Sequence, residues 1–281
     1  MDTIPNMSLA CRISSRARVA AVALTLAAAS LTGCATSSGD AADPYAPSAN
    51  DPLEGVNRIV YGFNEGTDIL FLRPAAVIYR EGVPEPIRTA VRNFLRNLTS
   101  PLVIANQLLQ GDVKGAEVAF QRLLVNSTIG LGGVFDIAGE YLDLEYEMED
   151  FGQTLAVWGV PEGPYLVLPI VGPSNLRDTA GYAVDTLTDP FNNWANNVDA
   201  DGALYGRAAA SSLETRASLI EPIDDIRRNS LDPYASLRSL YRQSRAAAIR
   251  DGVEEPEVEF PDYDDISMPA VEKSVASANS N

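Results

Sequence analysis

Between residues 51 and 250, apolar side chains recur at helical spacing, and prolines and glycines cut that pattern into short lengths. Such a chain forms many short helices and few strands. Leu53, Val56, Val60 and Phe63 share one face of a first helix, with Asp51 as its N-cap and Pro52 at its first position. Pro86 opens a second, with Ile87, Val91, Phe94, Leu95 and Leu98 in phase. Pro101 opens a short third that Gly111 closes, and Asp112 caps a fourth carrying Val113, Ala116, Phe120, Leu123 and Leu124. Ser174 caps a fifth, and residues 202–220 and 233–249 supply two more. The best strand candidate is 164–171, where Pro169 restricts it to a sheet edge or an extended loop. The expected fold is mostly α. Segments 59–72 and 101–109 are apolar over more than one narrow stripe. A generous core explains that breadth, and so does an outer surface that meets lipid.

The N-terminus reads as an address and an anchor. Arg12, Arg16 and Arg18 precede the apolar run Val19–Ser30. Twelve residues cannot cross a bilayer, where about 20 are needed, but they suit a secretory h-region. The run ends in Leu31-Thr32-Gly33-Cys34, which resembles the bacterial lipobox. Residues 1–33 are therefore expected to be a lipoprotein signal peptide, with Cys34 as the lipid anchor. Ala35 follows the cysteine in place of the aspartate that commonly retains lipoproteins at the inner membrane, which points to the outer one. Residues 34–50 read as a flexible tether, 51–250 as the helical body, and 251–281 as a disordered acidic tail.

The composition removes whole classes of chemistry. The 281 residues contain no histidine, which excludes Ser-His-Asp and Cys-His catalysis and every histidine metal site. The two cysteines, Cys11 and Cys34, lie outside the body, so a disulfide framework there is impossible. With 21 basic against 38 acidic residues, net −17, the chain lacks the basic footprint of a nucleic-acid binder. The segment Gly172-Pro173-Ser174 fails the GxSxG pattern, and Lys114 sits in no phosphate-binding loop. Glu145, Glu147 and Glu149 lie in an acidic run that reads as a solvated surface. Arg177-Asp178 and Glu214-Thr215-Arg216 read as salt-bridging positions. No enzyme activity, cofactor or metal is expected. Gly130, Gly132 and Gly133 form either a mobile turn or a plain helix C-cap, and Tyr165 and Pro169 lie in an apolar segment that borders a lipid path or simply packs.

Many short segments, in order, resemble the MlaA/VacJ family of outer-membrane phospholipid-transport lipoproteins. They include Asp51-Pro52-Leu53-Glu54-Gly55, Tyr61-Gly62-Phe63-Asn64, Arg73-Pro74, Asn93-Phe94 and Leu109-Gln110-Gly111-Asp112. The block Arg122 to Gly133, Asp150-Phe151-Gly152-Gln153-Thr154, Trp158-Gly159-Val160, Gly163-Pro164-Tyr165 and Asp232-Pro233-Tyr234 continue the match. The resemblance implies a single ring-like helical domain with a central amphipathic channel, held in the inner leaflet on the periplasmic side. It implies passive passage of phospholipids from the outer leaflet to a periplasmic phospholipid carrier protein, association with an outer-membrane trimeric porin, and maintenance of lipid asymmetry. Phe63 and Asn64 would control the channel. The alternative is a structural envelope lipoprotein that scaffolds porins without handling lipid.

Overall fold

The computed structural model describes residues 51–250. The signal-like segment, the tether with Cys34 and the acidic tail lie outside the described residues. The first helix, α1 (Glu54–Thr67), runs through a π-helical turn (Asp68–Leu72) into α2 (Arg73–Gly82) without a break. The turn precedes Pro74, which has no N–H to give and whose ring crowds the carbonyl one turn back. Within the turn Arg73 donates its N–H to the Asp68 carbonyl, five residues earlier, and this wider pairing carries the helix across the proline.

Helix α3 (Glu85–Gln110) contains Pro101 in its interior, so the two helices expected on either side of that proline are one. Pro101 withholds only the N–H due to the Asn97 carbonyl, and one turn back Ser100 Oγ and Thr99 Oγ1 donate to the neighbouring Arg96 carbonyl at 3.1 and 2.9 Å. Gly111, at φ +87°, ends the helix, and Asp112 caps α4 (Val113–Thr128) as its sequence position suggests. After α5 (Ile137–Leu142) and α6 (Phe151–Val157) comes a hairpin of β1 (Tyr165–Leu168) and β2 (Gly172–Asn175), antiparallel with Tyr165 opposite Asn175. The strand expected over 164–171 is thus shorter, and Pro169 opens the turn. Then follow α7 (Leu176–Thr188), α8 (Pro190–Asn197), α9 (Asp201–Ser218), α10 (Ile220–Asn229) and α11 (Pro233–Ile249). Asn175, not Ser174, caps α7, accepting from the Asp178 N–H at 2.7 Å. Asp51 does not cap α1. Its carboxylate is buried and accepts from Tyr234, from Arg238 at 3.0 Å and from Asn57 at 2.8 Å, which fastens the start of the body to α11.

The elements close on themselves. Helix α1 lies on β1, β1 pairs with β2, and β2 meets α7; α7 crosses α6, α6 meets α3, α3 meets α9, α9 packs on α2, and α2 returns to α1. The result is mostly helical and ring-like. The α6–α7 crossing depends on two glycines, because a Cβ on Gly181 would strike the Gly152 backbone. The apolar cores are small. One comprises Ala76, Ala217 and Ile220, and the other Tyr165, Val167 and Tyr234. The largest fully buried side chains among the described residues are Gln107, Gln153, Asn106 and Thr154, all polar.

Candidate functional site

The interior is organised by ion pairs and amides. Asp68, at the π turn, accepts from Arg216 at 2.6 and 2.9 Å and from Arg227 at 2.6 Å. Burial pushes the Asp68 carboxyl up, but the two guanidinium hydrogen bonds outweigh it and hold it below the ordinary carboxylate range. Arg73 forks onto Asp224 at 3.0 and 2.6 Å, so α1, α2, α9 and α10 share one charge network. Arg245 of α11 bridges Asp150 and Asp178, and Arg177 also reaches Asp178. Arg177, Glu214 and Arg216 thus serve in salt bridges, as their sequence setting indicates. The acidic run around Glu145 is not wholly solvated, since Glu149 is buried and accepts from Gln110 at 2.6 Å. Among the described residues, no group of three or more His, Cys, Asp or Glu could hold a metal ion.

Large apolar side chains are on the outside. Val56, Ile59, Phe63, Ile69, Leu70 and Phe71 are exposed along α1 and the π turn, Ile78 on α2, and Leu108, Leu109, Phe120 and Leu124 on α3 and α4. Scattered exposed leucines are ordinary; buried amides and charges beneath a broad exposed apolar surface are not. On α1 the division follows helical phase. Asn57, Asn64 and Asp68, at i, i+7 and i+11, share one face and turn inward, while Val56, Ile59 and Phe63 turn outward. The predicted first-helix stripe of Leu53, Val56 and Phe63 is therefore largely an outer face. No helix among the described residues is long and apolar enough to cross a membrane.

The two predicted channel-control residues part company. Phe63 is 57% exposed, whereas Asn64 faces the hairpin. Asn64 Nδ2 donates to the Leu168 carbonyl at 2.9 Å, and its Oδ1 accepts from the Ile170 N–H at 2.7 Å. One amide thus brackets Pro169. Within that turn Val171 donates to the Pro169 carbonyl at 2.8 Å around Ile170, whose φ is +68°. This is a γ-turn with a β-branched residue in a costly conformation, and Asn64 helps to hold it. Ile170 and Val171 project from the tip, both exposed. Tyr165 is 3% exposed and packs on Tyr234 and Tyr241, within the core. Burial drives its hydroxyl pKa up.

The Gly130–Gly133 loop is tied down. A Cβ on Gly130 would press on the Phe135 and Asn126 carbonyls. Gly133, at φ +93°, abuts Asn97, and Asn97 Nδ2 donates to Ser127 and to the Gly132 carbonyl at 3.0 and 3.2 Å. Gly132, at φ +74°, has open space around it. Sequence reading missed Asn57, Asp68 and Asn97; the polar 57/64/68 spacing on an otherwise apolar helix was the available signal for the first two.

A ring of helices that hides amides and ion pairs and displays aliphatic and aromatic side chains defines a class: an α-helical body whose outer surface suits hydrocarbon. Residues 49–248 match the family model of the MlaA lipoprotein, and the chain belongs to that family. It is 37% identical over 240 residues to the intermembrane phospholipid transport system lipoprotein MlaA of Shigella flexneri, covering 84% of this chain and 90% of that one. The protein of the same description from Haemophilus influenzae is 33% identical over 230 residues, covering 81% and 89%. A solved structure described as the structural basis for maintenance of bacterial outer membrane lipid asymmetry aligns with TM-score 0.61 at 36% identity, covering 71% of this chain and 98% of that one.

Proposed function

We propose that the chain is a lipid-anchored protein of the outer membrane, on its periplasmic side, that accepts phospholipid from the outer leaflet and passes it inward to a periplasmic carrier, so maintaining lipid asymmetry. The observation that carries this reading is the inverted distribution of polarity: polar amides and ion pairs buried, bulky apolar side chains exposed. The names of the MlaA relatives and the lipobox-like Leu31–Cys34 support it. A diacyl phospholipid carries about 30 methylenes, and at roughly 0.8 kcal/mol each their exposure to water costs on the order of 24 kcal/mol. The headgroup meets the opposite penalty in hydrocarbon. A central channel with both characters relieves both, and passage through it needs neither a nucleophile nor a nucleotide. The clamp between Asn64 and the hairpin turn is the element we assign to channel control, with Phe63 beside it on the outer surface. A trimeric porin is the proposed membrane partner.

The test is a deletion strain with surface phospholipid measured by an outer-leaflet-specific probe. Accumulation in the outer leaflet, reversed by the wild-type gene, is the expected result. Unchanged outer-leaflet composition overturns the reading, and leaves the chain as a structural envelope lipoprotein.

A further inference from the structure

A cleft opens where α3, α4 and the extended segment 143–150 meet, and polar side chains from all three line it, among them Asn93, Arg96, Arg122, Asp136 and Tyr146. Asn93, Asn97 and Ser100 share one face of α3, and Arg96 stands beside it in helical phase. Some of the groups around the cleft are fully used. Asp136 accepts from Arg122 twice at 2.8 Å, from Asn126 at 2.9 Å and from the Gly139 N–H at 3.1 Å, so its charge is matched. Three groups are not. The Arg96 guanidinium makes no ion pair or hydrogen bond among the described residues; it lies over the Tyr146 ring, 4.8 Å from the centroid. Stacking orients a guanidinium while leaving its N–H donors unspent. The Asn93 side chain makes one contact, from Nδ2 to the Val134 carbonyl at 3.5 Å, and the Tyr146 hydroxyl has one, to Thr99 Oγ1 at 3.5 Å. Both distances exceed those of ordinary hydrogen bonds.

The acids on either side of Tyr146 do not neutralise this place. Glu145 and Glu147 line the adjoining cleft, on the side of Gln107 and Gly115. The uncompensated charge is that of Arg96, positive in a chain of net −17. Half-used polar groups that converge on one charge in a concave site mark a place for a ligand. A guanidinium held flat on a ring presents parallel N–H donors, the geometry that matches two phosphate oxygens. An amide both donates and accepts, and a phenol does the same, so Asn93 and Tyr146 suit the ester oxygens and hydroxyls next to a phosphate.

We infer that Arg96, with Asn93 and Tyr146 beside it, binds the phosphate of a glycerophospholipid headgroup in this cleft. The inference rests on the proposed lipid-handling function and places the headgroup chemistry within it. Arg96 supplies the charge, and the other two supply neighbouring hydrogen bonds.

The test uses the full chain in mild detergent micelles doped with phosphatidylglycerol, or with diacylglycerol of the same chains, and measures lipid retained per protein after gel filtration. The wild-type chain should retain phosphatidylglycerol at least fivefold over diacylglycerol. Arg96→Gln should lose most of that preference with its circular dichroism unchanged, Arg96→Lys should keep part of it, and Asn93→Ala should lower it about threefold. Arg88→Gln is the control. It removes another cation of α3 that makes no ion pair among the described residues and does not line the cleft, and it should leave the preference intact. Phosphatidylglycerol retention that survives Arg96→Gln, or falls equally in Arg88→Gln, overturns the inference and leaves the proposed function standing. Absence of retained phospholipid from the wild-type chain removes both. Should Arg96→Gln not fold, equal retention of the two lipids by the wild type overturns the inference by itself. Displacement of the bound lipid by millimolar inorganic phosphate would identify a simple anion site and overturn the lipid assignment.

Discussion

Asn57 and Asn64 stand two helical turns apart on α1 and both present their side-chain amides to the hairpin. Asn57 donates to the Tyr165 carbonyl at 2.9 Å and accepts from the Val167 N–H at 3.0 Å. Asn64 repeats the pair with Leu168 and Ile170. Seven helical residues rise about 10.5 Å, and three strand residues extend about 10 Å, so the two periods coincide. Two amides thus act as a neighbouring strand for the free edge of β1, which would otherwise hold unsatisfied backbone groups.

The two amides differ in burial, and that sets their expected costs. Asn57→Ala removes one of the three donors to the buried Asp51, leaves the Tyr165 carbonyl and the Val167 N–H of β1 without their Asn57 partner, and should destabilise the body by about 2–3 kcal/mol. Asn64→Ala acts at the half-exposed turn and should cost about 1 kcal/mol. Hydrogen exchange at Ile170 should rise sharply in Asn64→Ala while the melting temperature barely moves. Unchanged exchange at Ile170 would show that Asn64 does not hold the turn.

The glycine loop offers a matched comparison. Gly132→Ala meets no neighbour but must hold φ +74°, at about 1 kcal/mol. Gly133→Ala carries the same backbone penalty and also collides with the Asn97 side chain, so it should cost several-fold more. Urea unfolding of the two variants reads the difference, and equal midpoints would contradict the packing described.

Asp68→Asn removes the negative charge from a site that faces the buried Arg216 and the partly buried Arg227. Breaking a buried pair in this way costs about 3–5 kcal/mol, because the remaining charge is left uncompensated. The double variant Asp68→Leu/Arg216→Met should recover part of the loss. Thermal melts of both decide the matter, and a mild effect of Asp68→Asn would mean that water reaches the π turn.

Acid should unfold the protein through the same pairs. For Asp68, Asp136 and Asp178, burial raises the carboxyl, and hydrogen bonds, notably from Arg216, Arg122 and Tyr241 respectively, more than reverse it. A carboxylate depressed in the folded state stabilises it above the ordinary pKa near 4, and that stability is lost as pH falls through the lower folded value. Asp185 opposes them. It accepts from Asn106 and the Phe151 N–H, and its burial dominates, so its carboxyl is raised and protonation favours the fold. The melting temperature should therefore fall below about pH 4, and fall less steeply in Asp68→Asn. Parallel curves for the two proteins would remove Asp68 from that account.

The amino-acid order by itself determined the helical character, the break at Gly111, the cap at Asp112 and the exclusion of histidine and thiol chemistry from the body. These depend on local backbone preference or on which atoms are present. It misplaced the break at Pro101, because a proline forfeits one backbone hydrogen bond and the packing of the long helix on its neighbours carries it through, and it made a cap of Asp51, because a distant Tyr234 and Arg238 compete for that carboxylate. Which face of each helix turns inward was decided only by the tertiary structure. Helical periodicity reports that α1 has a polar and an apolar side, but not which meets the protein interior. That choice follows from partners more than 100 residues away, Tyr165, Ile170 and Arg216, which satisfy the polar side and leave the apolar side to the surroundings.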